Sequence, residues 1–142
     1  MSGRRLFIDT AFVQALFNQA DALHDEARAW TQEVDEAAEL WTTEAVLVEV
    51  GNALRAINRA GAVAFIEQAY QAASVHVVPA DTALLQRALQ LYRERPDKGW
   101  GMTDCISFVV MRERNLTEAL TPDKHFAQAG FIPLMAGNPN TS

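Results

Sequence analysis

Apolar positions along the chain follow two alternating rhythms. Short segments at 6–9, 39–42, 75–78, 117–120 and 131–134 read as strands. Leu6-Phe7-Ile8 runs into Asp9, and the β-branched Val75 to Val78 segment stops at Pro79. Between them, apolar residues recur every three or four positions, the spacing of a helix with one buried face. Phe12, Leu16 and Phe17 mark the first such helix. A long polar helix is expected over 21–38, with Leu23, Ala27 and Trp30 on one side. Thr42 or Thr43 caps the next helix, which places Glu44 in its first turn and Val46, Val50, Leu54 and Ile57 on its apolar face. Gly61 is expected to end that helix, and 62–73 forms another. Asp81 or Thr82 starts a helix with Leu84, Leu85, Ala88 and Leu91 facing inward. Residues 95–101, with Pro96, Gly99 and Gly101, form a loop. Thr103 is the expected N-cap of a helix reaching Arg114.

Strands alternating with helices imply a three-layer α/β/α fold around a mostly parallel sheet of four to five short strands. At 142 residues the chain suits one domain, taken as 1–136 with a disordered tail at 137–142. Apolar residues make up 49 %, which excludes disorder for the bulk of the chain. No apolar run approaches the roughly 20 residues that span a bilayer, so no membrane partner is expected. The two arginines near the N-terminus precede an apolar run that breaks at Asp9, unlike a signal peptide. The single cysteine, Cys105, has no intramolecular partner and sits among apolar residues. A reducing, cytoplasmic setting follows from it. The net charge of −6 argues against nucleic-acid binding through bulk charge. It leaves open contact with a polyanion through cations held locally.

Four acidic residues stand where such a fold gathers its segment ends. Asp9 and Asp123 follow strands, Asp104 opens a helix, and Glu49 lies about a turn and a half into its helix. In parallel α/β sheets, sites form beyond the strand C-termini at the switch in strand order. Two bare carboxylates about 4 Å apart repel by roughly 4 kcal/mol at an effective dielectric near 20. No neighbouring Lys or Arg pairs with all four, so protons or a metal must neutralise them. An all-oxygen donor set suits Mg²⁺ or Mn²⁺. His24, His76 and His125 lack zinc-ligand spacing. No Gly-rich phosphate loop, nucleophile elbow or Cys–His pair offers other chemistry.

The segments Leu6-Phe7-Ile8-Asp9-Thr10, the Glu49 helix, Met102-Thr103-Asp104-Cys105-Ile106-Ser107 and Leu120-Thr121-Pro122-Asp123-Lys124-His125-Phe126 together resemble the PIN-domain ribonucleases. Within that family they resemble the toxins of VapBC-type toxin–antitoxin pairs. The likeness covers nearly the whole chain, in order. It implies that Asp9, Glu49, Asp104 and Asp123 bind Mg²⁺ or Mn²⁺ and cut RNA endonucleolytically. It also implies a homodimer silenced by a small cognate antitoxin. Gly101 stands where many relatives carry serine, and the fourth acid, here Asp123, is the least uniform of the family pattern.

Each residue also has a plainer role. Asp9 and Asp123 suit helix caps, Asp104 suits first-turn electrostatics, and Glu49 suits an ion pair with Arg55. Thr10, Thr103 and Ser107 are possible supporting residues, with capping the simplest role for the threonines. His125 is expected to pack or hydrogen-bond, and Asp97 to be a loop residue. Arg55 and Arg59 on one helix face, with Lys98 and Lys124 beside the cleft, offer either a solvated surface or contact with an RNA backbone. Trp41, Trp100 and Phe126 are expected in the core. Two other readings stay open: a PIN-like domain that binds RNA or a partner without cutting, and a phosphoacceptor receiver domain. The receiver is disfavoured because Asp9 lacks an acidic neighbour and the 75–78 strand runs into Pro79. A haloacid-dehalogenase-like phosphatase fails because Asp9-Thr10-Ala11 lacks the second aspartate.

Overall fold

A computed structural model describes residues 3–137. Of the tail expected to be disordered, 137–142, residues 138–142 lie outside the described residues. The elements in chain order are β1 (Arg5–Ile8), α1 (Thr10–Phe17), α2 (His24–Ala29), α3 (Thr31–Glu36), β2 (Glu39–Thr43), α4 (Glu44–Leu54) and α5 (Arg59–Gln71). They continue with β3 (Val75–Val78), α6 (Thr82–Glu94), α7 (Met102–Glu113), β4 (Glu118–Leu120), α8 (Lys124–Gln128) and β5 (Ile132–Pro133). The strands form one sheet in the order β3-β2-β1-β4-β5, and every pairing is parallel.

The strand order explains how the ends meet. From β1 the chain steps outward through β2 to β3, then returns across the sheet to pair β4 with the free side of β1. Right-handed crossovers place α1 to α5 over one face and α6 to α8 over the other. The pleat then sorts the side chains. Ile8, Leu40 and Thr42 line a cavity with Phe12 and Leu16 of α1, Val34 of α3 and Phe65 of α5. On the opposite face Phe7 meets Phe126 of α8, with ring centroids 6.4 Å apart. Phe126 stands edge-on to Phe108 of α7 at 4.9 Å, and Phe108 edge-on to Trp100 at 5.0 Å. Phe7, Phe12, Phe108 and Phe126 are fully buried. No helix among the described residues is long and apolar enough to cross a membrane.

Several local expectations are corrected. The helix expected over 21–38 is two short helices, α2 and α3. Asn18 and Asp21 accept bonds from the backbone N–H groups of Ala20 and Leu23, which hold the chain in turns until His24. At the break, Thr31 Oγ1 donates to the Arg28 carbonyl and competes with the helical ladder. Gly61 does not end α4. Asn58 caps α5 by accepting from Gly61 N–H, so Gly61 lies inside α5. A Cβ there would lie 2.7 Å from Phe17 Cδ1 and 2.6 Å from Asn58 Nδ2. Glycine serves close helix packing at this position. The Thr43 cap is present, its hydroxyl accepting from Val46 N–H, but Ile57 lies beyond α4 and is exposed. Leu84 and Ala88 are buried on α6, whereas Leu85 is 41 % exposed. Gly101, not Thr103, occupies the N-cap of α7. Its N–H donates to Asp104 Oδ2 at 3.1 Å, so the acid three positions on supplies the capping bond.

Candidate metal centre

Three of the four acids sit around the C-terminal ends of β1 and β4, where the strand order reverses. Asp9 follows β1 at the N-cap position of α1 and makes no side-chain cap bond there. Its carboxylate instead accepts from Thr121 Oγ1 at 2.9 Å. Thr121 is fully buried just past β4, and its hydroxyl also accepts from Asp123 N–H at 3.1 Å. One threonine therefore ties the Asp9 carboxylate to the backbone that carries Asp123. Asp123 caps α8 by accepting from His125 N–H at 2.9 Å. The capping role foreseen for Asp123 is thus present beside its place in the cluster.

The electrostatics show uncompensated charge. Asp9 is only 7 % exposed. Burial pushes its carboxyl up from 3.8 to about 6. Bonds from Thr121 and the Thr10 backbone pull it down, while Asp104 and Asp123 push it up further. Burial also raises Asp104; Gly101 N–H and His125 oppose the rise, and Asp123 adds to it. Among the described residues no Lys or Arg forms an ion pair with Asp9, Glu49, Asp104 or Asp123. Asp104 and Asp123 instead face His125, whose Nδ1 lies 3.4 Å from Asp104 Oδ2 and 3.4 Å from Asp123 Oδ1. One donor atom from each of these three residues falls within a 4.8 Å span. Hard oxygen donors, a buried acid held above its ordinary range and the lack of a fixed Lys or Arg cation fit a divalent metal ion.

Glu49 stands apart from the three aspartates. It is exposed on α4 and does not make the expected pair with Arg55. The Arg55 guanidinium turns back to the Asn52 carbonyl. Glu49 meets the site through Thr10, whose hydroxyl donates to Glu49 Oε1 at 3.3 Å. Arg55 and Arg59 do not share one helix, since Arg55 is the C-cap of α4 and Arg59 opens α5. Asp97 pairs with Arg95 at 3.1 Å. Thr103 lies in the first turn of α7 without a capping role. Ser107, one turn past Asp104, is fully buried, and its hydroxyl has no hydrogen-bond partner among the described residues. Lys98 is half-buried in the 95–101 loop, and Lys124 is exposed. Trp100 and Phe126 are in the core, but Trp41 is half-buried and stacks on His76 at 4.4 Å.

For two residues of the 120–126 motif, sequence reasoning did not reach the partner. Thr121 had a signal, a hydroxyl two residues before Asp123, but nothing local shows that it reaches Asp9 across 112 positions. His125, expected to pack or hydrogen-bond, does hydrogen-bond, but nothing local shows that its partner is Asp104, 21 positions away.

The PIN domain family model matches residues 6–132. The chain is 31 % identical over 130 residues to the 23S rRNA-specific endonuclease VapC20 of Mycobacterium tuberculosis, covering 89 % of this chain and 95 % of that protein. The crystal structure of M. tuberculosis VapC20, described as a sarcin–ricin loop cleaving toxin, superposes with a TM-score of 0.80 at 27 % identity. That match covers 91 % of this chain and 98 % of VapC20. FitAcB from Neisseria gonorrhoeae shares the fold, with a TM-score of 0.61 at 14 % identity over 96 % of this chain and 99 % of that one.

Proposed function

Because the chain belongs to the PIN-domain family, we propose that it is a metal-dependent endoribonuclease and the toxin of a type II toxin–antitoxin pair. The observation that carries this reading is Asp9, a buried carboxylate raised to about 6 beside two further acids, with no Lys or Arg among the described residues in an ion pair with it. Asp9, Asp104 and Asp123 would hold Mg²⁺ or Mn²⁺, with Glu49 at the rim linked to the site by Thr10. When bound, the ion neutralises phosphodiester charge, orients the scissile phosphate and lowers the pKa of a water nucleophile.

The chain's own residues set the geometry for that chemistry. Thr121 orients Asp9, the Gly101 N–H orients Asp104, and the His125 N–H orients Asp123. These bonds hold the carboxylates in place before substrate arrives, so less reorganisation opposes the reaction. Lys124, next to Asp123 in the sequence, and Lys98, next to the Gly99 that lies by His125, are the cations offered to an RNA backbone.

Ribosomal RNA is the proposed substrate, by likeness to VapC20. Two apolar surfaces suit protein partners. Leu85, Leu89 and Tyr92 form an exposed stripe on α6, and Val48 and Tyr70 lie exposed on α4 and α5. The first suits a homodimer and the second a small antitoxin. The test is incubation of the purified chain with 23S rRNA and Mn²⁺, with cleavage sites mapped by primer extension. Discrete cuts are expected, and none with a folded Asp104→Asn variant. Cutting at the same sites by that variant overturns the assignment.

A further inference from the structure

We propose that His125 is itself a metal ligand, so that the centre is a mixed oxygen–nitrogen site that prefers Mn²⁺ to Mg²⁺. The proposal rests on the metal-dependent reading above and adds a donor to it. Its Nδ1 lies 3.4 Å from both Asp104 Oδ2 and Asp123 Oδ1. That is long for a hydrogen bond to either, since good N–H···O bonds cluster at about 2.9–3.0 Å. It fits atoms that share a cation. Donors about 2.1 Å from one ion lie roughly 3.0 Å apart when adjacent and about 4.2 Å apart when opposite.

His125 N–H donates to Asp123 Oδ1, which holds that carboxylate beside the ring. The opposite edge lies under the loop before α7, where a Cβ on Gly99 would approach His125 Nε2 to 3.6 Å. The two ring nitrogens therefore have different surroundings, and Nδ1 is the one that faces the acids. Phe126, fully buried next in sequence, anchors the turn that carries the ring. Imidazole is a good donor to transition metals, whereas Mg²⁺ takes oxygen. A nitrogen ligand therefore tilts the site toward Mn²⁺.

The test uses the full chain stripped with EDTA and loaded with one equivalent of Mn²⁺. Electron spin-echo envelope modulation detects ¹⁴N coupled directly to the ion. The expected result is imidazole ¹⁴N modulation in the wild type, retained in His24→Gln and His76→Gln and lost in His125→Gln. The Mn²⁺ dissociation constant of His125→Gln is expected to rise about tenfold or more, while that for Mg²⁺ changes little, so that Mg²⁺ displaces Mn²⁺ more readily from the variant than from the wild type. Bound Mn²⁺ without ¹⁴N modulation in the wild type overturns the nitrogen ligand and leaves the carboxylate site standing. A wild type that binds no Mn²⁺ overturns both. The wild-type spectrum decides the matter even if His125→Gln fails to fold.

Discussion

Asp9→Asn should make the metal-free protein more stable at neutral pH, although it removes a residue of the centre. Burial raises the Asp9 carboxyl from 3.8 to about 6. That gap corresponds to about 3 kcal/mol at about 1.4 kcal/mol per pH unit. A carboxyl raised on folding contributes its full stability below the unfolded value of 3.8 and loses it as pH climbs through about 6. Above pH 6 the folded metal-free protein carries the whole cost of a buried charge. Asparagine removes the charge and keeps an oxygen to accept from Thr121 Oγ1. Its NH₂ group gains acceptors in the neighbouring carboxylates. Allowing for imperfect refitting, the expected gain is about 1–3 kcal/mol at pH 7.5 in EDTA, shrinking toward zero near pH 4. Urea unfolding of both proteins at the two pH values measures it. Saturating Mn²⁺ should reverse the order, because only a protein that binds the ion in its folded state is stabilised by mass action. An Asp9→Asn variant no more stable than wild type at pH 7.5, or equally stabilised at both pH values, would refute the reasoning.

Thr121→Val removes the hydroxyl that links Asp9 to the Asp123 backbone. Mn²⁺ affinity, read by calorimetry, should fall about 10–100-fold; unchanged affinity would mean that the link orients nothing. Gly61→Ala forces a methyl against Phe17 and Asn58 and should cost about 1–3 kcal/mol in urea unfolding. A Gly61→Ala variant as stable as wild type would show that the α1–α5 contact yields freely. Light scattering at micromolar concentration should give twice the 15.7 kDa chain mass, and a monomer mass would rule out the proposed dimer.

The strands and the meeting of Asp9 and Asp123 at one sheet edge were legible because both follow from local pattern. Runs such as Leu6 to Ile8 cannot stay in water, and a parallel sheet brings the residues after such runs to one edge. Some corrections are local and others tertiary. Between 21 and 38 the Asp21 turn and the Thr31 hydroxyl, which donates to the Arg28 carbonyl, divide a segment whose apolar spacing reads as one helix. Gly61 has the composition of a helix end, and only Phe17, brought over by α1, shows that it is a packing glycine. Leu85 fits the apolar period of α6 but overhangs the buried stripe. Glu49 lies among apolar sequence neighbours, yet α4 turns it and Val48 outward, away from the expected pair with Arg55. The contacts of Thr121 with Asp9 and of His125 with Asp104 could not be read locally, because those partners lie on other elements.

The most direct test of the central claim is RNA cleavage by the purified chain after exhaustive metal removal. The metal centre proposed here predicts no cleavage in EDTA, recovery on adding Mn²⁺ or Mg²⁺, and no recovery with Asp104→Asn at any metal concentration. Cleavage that continues at full rate in metal-free buffer would contradict it.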